Sequence, residues 1–403
     1  MKARTNVWIL IYLSIILITT NNFFSYAVLD DSANKIGKII YLSILFLLFC
    51  GGRKHCLYKR KNTGAIKCFM VFFTISSISC LINREQSILG TAMTIMPYFA
   101  IVSIYFLLHK YSITERQIVI LFTILACIFL CISFFQQFLA SEYIFGSRNG
   151  SEIRMGFHRY AIYGDRLCFI PLFFYLEKWT LTKRNKYLLY VLLFFLGIFL
   201  QLERMLLFGI LCGIIYYLVA KRTLSWKQWL LMGTMSFFFL SYLTSSHQEG
   251  SYTEINERNS EAGKDDIRML SIEYYTIDFQ KNISTVFFGN GVEYRKSNYG
   301  HLVEKAEDFG FFKVDIGIFG EFNTFGLLYI LFLLYLLIIN ISFKRKNIDM
   351  YSAIFFVMLS SCVLCGTTDL PYRLILWPFL LYLRDIQRGT FSRMQNISYK
   401  NKY

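Results

Sequence analysis

The chain has 403 residues, 55% of them hydrophobic and only 17% charged, with a mean hydropathy of +0.45. That apolar share excludes a water-soluble domain, and the apolar residues come in runs of roughly 15–20, the length that crosses the hydrocarbon layer of a bilayer. The net charge of +16 reports membrane topology through its distribution among the loops, so nucleic acid is not expected as a partner.

The first apolar run, Val7 to Thr20, is followed by many others, so it reads as a span rather than a cleaved leader. The runs predict about twelve spans, at roughly 7–27, 36–50, 64–82, 88–108, 118–139, 160–177, 187–201, 205–220, 228–244, 324–342, 350–366 and 372–384. The expected fold is therefore an all-α polytopic membrane protein with one large outer loop between late spans. Residues 1–244 hold the first nine helices and short loops, and 245–312 form the large loop. Residues 313–384 hold a re-entrant or interfacial lead-in and the last three helices, and 385–403 form a basic tail.

Loop charge alternates along the chain. One set of loops carries Lys2 and Arg4, the run from Arg53 to Lys67, then Lys110 and Arg116, Lys178 to Lys186, Lys221 to Lys227, Lys344 to Lys346, and the cations of the tail. Its acids are Glu115, Glu177, Asp349 and Asp385. The other set has more acids than bases. Positive-inside bias puts the first set, and both termini, in the cytoplasm. The ten cysteines avoid the polar stretch from Ser245 to Gly310, which argues against a disulfide framework. Cys362 and Cys365 form a C-x-x-C inside an apolar run and read as helix packing.

The outward loops hold the polar groups of interest. "SEIRMGFHRYAIYGDR", Ser151 to Arg166, gathers Arg154, His158, Arg159 and Arg166 where positive-inside bias disfavours cations. Arginine forks make paired charge-assisted bonds to phosphate, so an anion at the outer leaflet accounts for them. A loop held by Glu152 and Asp165 is the alternative. Glu203 and Arg204 lie between two apolar runs, at the turn of a tight hairpin. They read either as a capping pair or as an anion site on the rim of an outer cavity, since an unpaired arginine near lipid costs about 2.5–3.5 kcal/mol.

Farther on, "SIEYYTIDFQKN", Ser271 to Asn282, has the pattern of an interfacial amphipathic helix, with Ile272, Tyr275, Ile277 and Phe279 apolar. In "KAEDFGFFKVDIGIFGEFNTFGLL", Lys305 to Leu328, Asp315 and Glu321 sit among Phe, Ile and Gly before a full span. Gly310, Gly317, Gly320 and Gly326 permit a broken or re-entrant helix. An interfacial segment with solvated carboxylates fits as well. Asp369 and Arg373, at i,i+4 spacing beyond the next span, suit a helix-end ion pair.

Three of these segments carry a resemblance. "IRMGFHRYAIYG" resembles an Arg-x-Gly-x-Phe/His element, with Arg154, Gly156 and His158 at its positions. "QLERMLLFGILCGII" resembles an element in which an acid or Ser precedes the Arg that opens a span, matching Glu203 and Arg204. "FFGNGVEY" followed by "DFGFFKVDIGIFGEFNTFGLLYILFLL" resembles a Gly-x-Gly, polar residue and Gly-rich approach to a span, matching Gly289, Gly291, Asp315, Gly317 and Gly326. By these motifs and its layout the chain resembles the Wzy-type O-antigen and polysaccharide polymerases and, more distantly, the O-antigen ligases.

The resemblance implies a bacterial inner-membrane glycosyltransferase that joins undecaprenyl-pyrophosphate-linked oligosaccharide units at the periplasmic face. It implies membrane lipid, a chain-length regulator and a flippase as partners. No metal or other cofactor is expected: the chain lacks an Asp-x-Asp, and a lipid-linked donor already carries a good leaving group. The departing diphosphate then needs cations, expected from Arg154, Arg159 and Arg204. The acceptor hydroxyl needs a base. Asp315 leads the candidates, because partial burial is expected to raise its pKa, with Glu321 and His158 behind it. Glu203, His301, Asp369 and Arg373 are secondary candidates. An O-antigen ligase is the nearest rival. A lipid-linked oligosaccharide flippase, disfavoured by the long loop and by charges at the membrane edge, is the rival from another class.

The charge alternation predicts that reporter fusions at Tyr252 read as external and fusions at Lys344 as cytoplasmic. Both fusions reporting the same side would overturn the twelve-span map.

Overall fold

The computed structural model describes residues 2–21, 40–41, 43–44, 60–139, 147–154, 157–161, 163–201, 203–221, 233–234, 267–342 and 348–400, with backbone only for 2–6, 147–154, 157–161 and 389–400. Nearly all of the expected span at 36–50, most of that at 228–244 and the loop over 245–266 lie outside the described residues.

The described chain is helical apart from one hairpin. Apolar sequence and well-chosen caps start its helices. α1 spans Lys2–Thr20 and α2 spans Thr63–Asn83. α3, Ile88–Tyr111, is capped by the Ser87 hydroxyl, and α4, Glu115–Phe134, opens on a capping box between Thr114 and Gln117. The antiparallel hairpin pairs β1, Ser147–Arg154, with β2, Phe157–Ala161. A single 3-10 turn, Asp165–Cys168, leads into α5, Phe169–Thr182. α6 (Asn185–Phe199) and α7 (Arg204–Lys221) follow.

Beyond the undescribed stretch come the short α8 (Ile267–Glu273), α9 (Ile283–Phe288) and α10 (Asn298–Asp308). α11, Ile318–Phe325, abuts α12, Leu327–Asn340. α13 is Met350–Ser361, capped by the Asp349 carboxylate, and α14 (Pro371–Leu374) precedes α15 (Leu376–Lys400). Among the described residues, four helical stretches, over 63–83, 88–111, 115–139 and 204–221, are long and apolar enough to cross a membrane, and shorter apolar helices accompany them. The chain has the character of an α-helical membrane-embedded protein.

Contacts between helix ends sort these helices into two poles. At one pole the Asn62 side chain donates to Asp385 at 3.1 Å, Tyr351 to Glu115 at 2.7 Å and Tyr217 to Glu177 at 3.4 Å, while Arg384 pairs with Asp349. At the other, Arg166 reaches the Gly366 carbonyl at 2.7 Å and Arg84 reaches Asn290 at 2.8 Å. The first set coincides with the basic loops and the second with the remainder, so consecutive long helices run alternately between a basic and an acidic pole.

Boundaries depart from the hydropathy reading wherever polar machinery interrupts an apolar run. The run expected to begin a span at 160 yields a strand and a 3-10 turn first, and its helix begins at Phe169. The run expected over 350–366 stops being helical after Ser361. The stretch expected as an interfacial helix is α8 and a π turn, Tyr274–Asp278, which buries Tyr275 and Phe279 in protein and leaves Ile277 exposed. Tyr275 and Phe279 are buried with Tyr299, Val303, Ala306 and Ile316 in a small second core that also takes in Cys80 of α2. The Arg84 guanidinium, 4.3 Å from the Phe279 ring, clamps this cap to the bundle.

The Gly-x-Gly stretch is a close-packing device. The Asn290 and Gly291 amides donate to the carbonyls of Asn323 (2.8 Å) and Thr324 (2.9 Å), and the Ser76 hydroxyl also donates to Thr324. These bonds collect backbone groups freed where α11 breaks from α12 at Gly326, which has φ +86°. A Cβ at Gly326 would stand 2.3 Å from the Phe287 carbonyl oxygen. Gly326→Ala is expected to cost at least about 2 kcal/mol of stability. Gly64→Ala, in a position with no neighbour within 4 Å, is expected to stay within about 1 kcal/mol of wild type. Thermal unfolding in detergent checks both, and equal melting of the two variants would contradict this reading of the break.

Candidate functional site

At the acidic pole, polar side chains from three separated parts of the chain converge inside the apolar bundle. The Asp165–Cys168 turn supplies Asp165 and Arg166, which are 4% and 3% exposed. The residue before α7 supplies Glu203. The turn after α13 supplies Cys365, Gly366 and Asp369, and α14 supplies Arg373, 7% exposed.

Arg166 donates through Nη2 to the Cys365 sulfur at 3.2 Å as well as to Gly366 O, and the Cys365 thiol faces the Glu203 carboxylate at 3.8 Å. Arg373 donates through Nη1 to Asp369 Oδ2 at 2.6 Å and to the Val314 carbonyl at 3.3 Å. Asp165, Arg166, Glu203 and Arg373 interact electrostatically with one another. Tyr163 and Tyr372 stack with ring centroids 4.3 Å apart beside Arg373, whose guanidinium carbon lies 5.5 Å from the Tyr372 centroid.

These contacts leave polar atoms over. Among the described residues, Arg166 Nε, Arg373 Nε, Asp165 Oδ2 and Asp369 Oδ1 are buried without a hydrogen-bond partner. Each arginine fork is thus engaged through its terminal nitrogens while its Nε–H is unmet. An oxyanion with several oxygens suits that arrangement better than a single carboxylate oxygen does.

The turn carrying Asp369 is held by Glu321, a fully buried residue of α11. One oxygen, Oε1, accepts the backbone N–H groups of Thr367 (2.6 Å), Thr368 (2.5 Å) and Asp369 (3.2 Å), together with both threonine hydroxyls. The other, Oε2, has no partner. Burial pushes the Glu321 carboxyl up and the neighbouring Asp369 charge adds to this. The N–H donors pull the other way, and the balance stands at about 7. Burial likewise raises Asp369, against the opposing pull of Arg373 and Arg166.

The site expected from sequence is redistributed. Asp315, the leading candidate base, lies in a short 3-10 turn with its side chain exposed. The expectation of partial burial therefore fails for Asp315 and holds for Glu321 instead. The reason is local: the Lys313–Asp315 turn buries Lys313, which pairs with Glu293 at 2.5 Å, and points its third residue outward. His301 is exposed on α10 and faces Glu304 at 3.0 Å, one helical turn away.

Arg154, His158 and Arg159 have backbone positions on the hairpin, with Ile153 opposite His158, and their side chains lie outside the described residues. Arg204 is partly buried in the first turn of α7. Glu203, Asp369 and Arg373 are brought together. Sequence reasoning grouped Arg166 with the outward cations and named Asp165 as a loop-holding acid, but carried neither into the expected site. Their signal was a charged pair immediately before an apolar run, the same signal that singled out Glu203 and Arg204.

No protein-family model, no curated protein and no solved structure matches this chain.

The Glu321 carboxyl generates a pH test. At low pH the folded and unfolded chains both hold its proton. Between its ordinary value of 4.5 and about 7 only the folded chain keeps it, so folding loses stability as pH rises through that window and changes little above it. Glu321→Gln keeps a carbonyl oxygen for the five donors and removes the titration. Its melting temperature is expected to fall less than that of wild type between pH 4.5 and 7. Parallel profiles would show that Glu321 ionises freely.

Proposed function

We propose that this chain is a glycosyltransferase of the inner membrane, a polysaccharide polymerase that joins undecaprenyl-pyrophosphate-linked oligosaccharide units at the periplasmic face. In this reading about twelve spans carry the chain, both termini are cytoplasmic, the acidic pole faces the periplasm, and membrane lipid surrounds the bundle.

One observation carries the proposal: Arg166 and Arg373 are buried within electrostatic reach of each other in an apolar bundle, each with an Nε–H that finds no partner among the described residues. Burying guanidinium groups costs several kcal/mol each unless they are paired and fully hydrogen-bonded. Their natural complement is an anion rich in oxygen at the membrane surface, and a lipid diphosphate brings one at the right depth. Developing negative charge on the departing diphosphate would be stabilised by both forks. The acceptor hydroxyl needs only a carboxylate within reach, and Asp165, Glu203 and Asp369 all lie in the cluster.

In an O-antigen ligase the same leaving group would be transferred to lipid A-core, and a flippase would bind the same diphosphate without chemistry. A cell lacking the polymerase attaches single units only, one lacking the ligase attaches none, and one lacking the flippase presents no units outside.

Arg166→Lys and Arg373→Lys keep the charge and lose the planar fork. Each is expected to lower polymer formation by about 100-fold, roughly the 2.7 kcal/mol of a lost transition-state donor, at normal membrane level and melting temperature. The readout is the length distribution of lipid-linked glycan on a gel. Wild-type chain lengths in both lysine variants would remove this cluster from the reaction.

A further inference from the structure

Asp369 does two things at once in this cluster. Its Oδ2 engages Arg373 Nη1 at 2.6 Å, while its Oδ1 is buried without a partner. Oδ1 lies against Gly366: a Cβ there would stand 2.3 Å from it. The turn is therefore shaped so that this carboxylate can swing in against the backbone and reach the arginine. The engagement is one-sided, because Arg373 Nε stays unmet. A phosphate group would satisfy both sides of the fork, so it can outcompete the aspartate. The surrounding charge favours such an exchange: Asp165, Glu203 and Asp369 already outnumber Arg166 and Arg373, so a diphosphate adds its charge here by taking a carboxylate's place on an arginine.

Asp369 is the carboxylate best placed to move. The turn on which it stands is pinned at its backbone, by Glu321 Oε1 on its amide and by the Tyr98 hydroxyl on its carbonyl. The side chain can rotate while its Cα stays fixed beside Arg373.

We propose that Asp369 occupies the Arg373 guanidinium until the diphosphate of the lipid-linked donor displaces it, and that the released carboxylate is the general base for the acceptor sugar hydroxyl. This rests on the polymerase reading given above. Asp369 takes the hydroxyl proton, and the hydroxyl oxygen forms a bond to the anomeric carbon of the donor. The bond from that carbon to the diphosphate breaks with its electron pair going to the diphosphate oxygen, which Arg166 and Arg373 hold. The carboxyl then returns its proton to water. Ground-state binding and base release are thereby coupled: no base is free until the leaving group is in place.

The test compares inorganic pyrophosphate binding, by calorimetry on the full chain in lipid nanodiscs, with polymerisation of lipid-linked units. Asp369→Asn removes both the competitor and the base. It is expected to bind pyrophosphate about tenfold more tightly than wild type, a gain of about 1.4 kcal/mol, and to lose about 100-fold or more in polymerisation. Gly366→Ala pushes the carboxylate off the arginine but keeps it. It is expected to bind about tenfold more tightly while retaining polymerisation within about tenfold of wild type.

Unchanged or weaker pyrophosphate binding in Gly366→Ala would overturn the exchange, and it decides the matter if Asp369→Asn does not fold. Normal polymerisation by a folded Asp369→Asn would overturn the role as base. A wild-type chain that neither binds pyrophosphate nor polymerises would sink the polymerase reading itself, an outcome visible before any variant is made.

Discussion

A single carboxylate oxygen organises the acidic pole. Glu321 Oε1 collects three consecutive backbone N–H groups and two hydroxyls from the 367–369 turn. That turn sits where α13 has ended and α14 has not begun, inside an apolar bundle where water is scarce. Unpaired amides there would cost several kcal/mol each. That one oxygen meets them all, and the turn it fixes carries Asp369 and leads directly into Arg373. Without it the arginine would have no defined address.

The same accounting explains the neighbouring irregularities. The break at Gly326 frees backbone carbonyls, which the Asn290 and Gly291 amides and the Ser76 hydroxyl of α2 take up, while the Ser79 hydroxyl donates to the Gly289 carbonyl. Gly289 and Gly326 both adopt positive φ and approach each other's backbones too closely for any side chain. The Gly-x-Gly element is therefore a joint between the cap around Tyr275, Phe279 and Tyr299 and the helix that delivers Glu321. It ties this second core to that helix through the Asn290 and Gly291 amides, the Tyr299 hydroxyl on the Gly291 carbonyl and the Asn323 side chain on the Tyr275 carbonyl.

The two poles solve the burial of charge differently. At the basic pole, Asp385 receives Asn62, Tyr105 and His109, and Arg384 reaches Asp349, Ser352 and the Asn340 carbonyl. Those networks close helix ends together. Arg384 Nε is unmet among the described residues, as Arg166 Nε and Arg373 Nε are, but the terminal nitrogens of Arg384 make four hydrogen bonds, whereas at the acidic pole three carboxylates lie around two less fully engaged arginines. Partial satisfaction is costly to folding and is the property that an anion-binding site uses.

The sequence by itself determined the membrane class, because apolar runs of bilayer length follow from composition alone. It also determined which helix ends share a pole, because charge in short loops is a local property that topology sorts. It located Glu203, Asp369 and Arg373 as charges beside apolar runs, and it flagged the glycines of the broken helix. Only the tertiary structure decided which carboxylate is buried. Asp315 and Glu321 stand six positions apart in one Gly-rich stretch, and their exposure depends on a 3-10 turn and on the 367–369 turn some fifty residues away. Arg166 and Arg373 are two hundred residues apart in the chain, so no local pattern joins them. They meet because α5, α7, α13 and α15 pack as one bundle with their polar ends at the same depth, and the cost of leaving charge unpaired in that apolar surrounding draws the ends together.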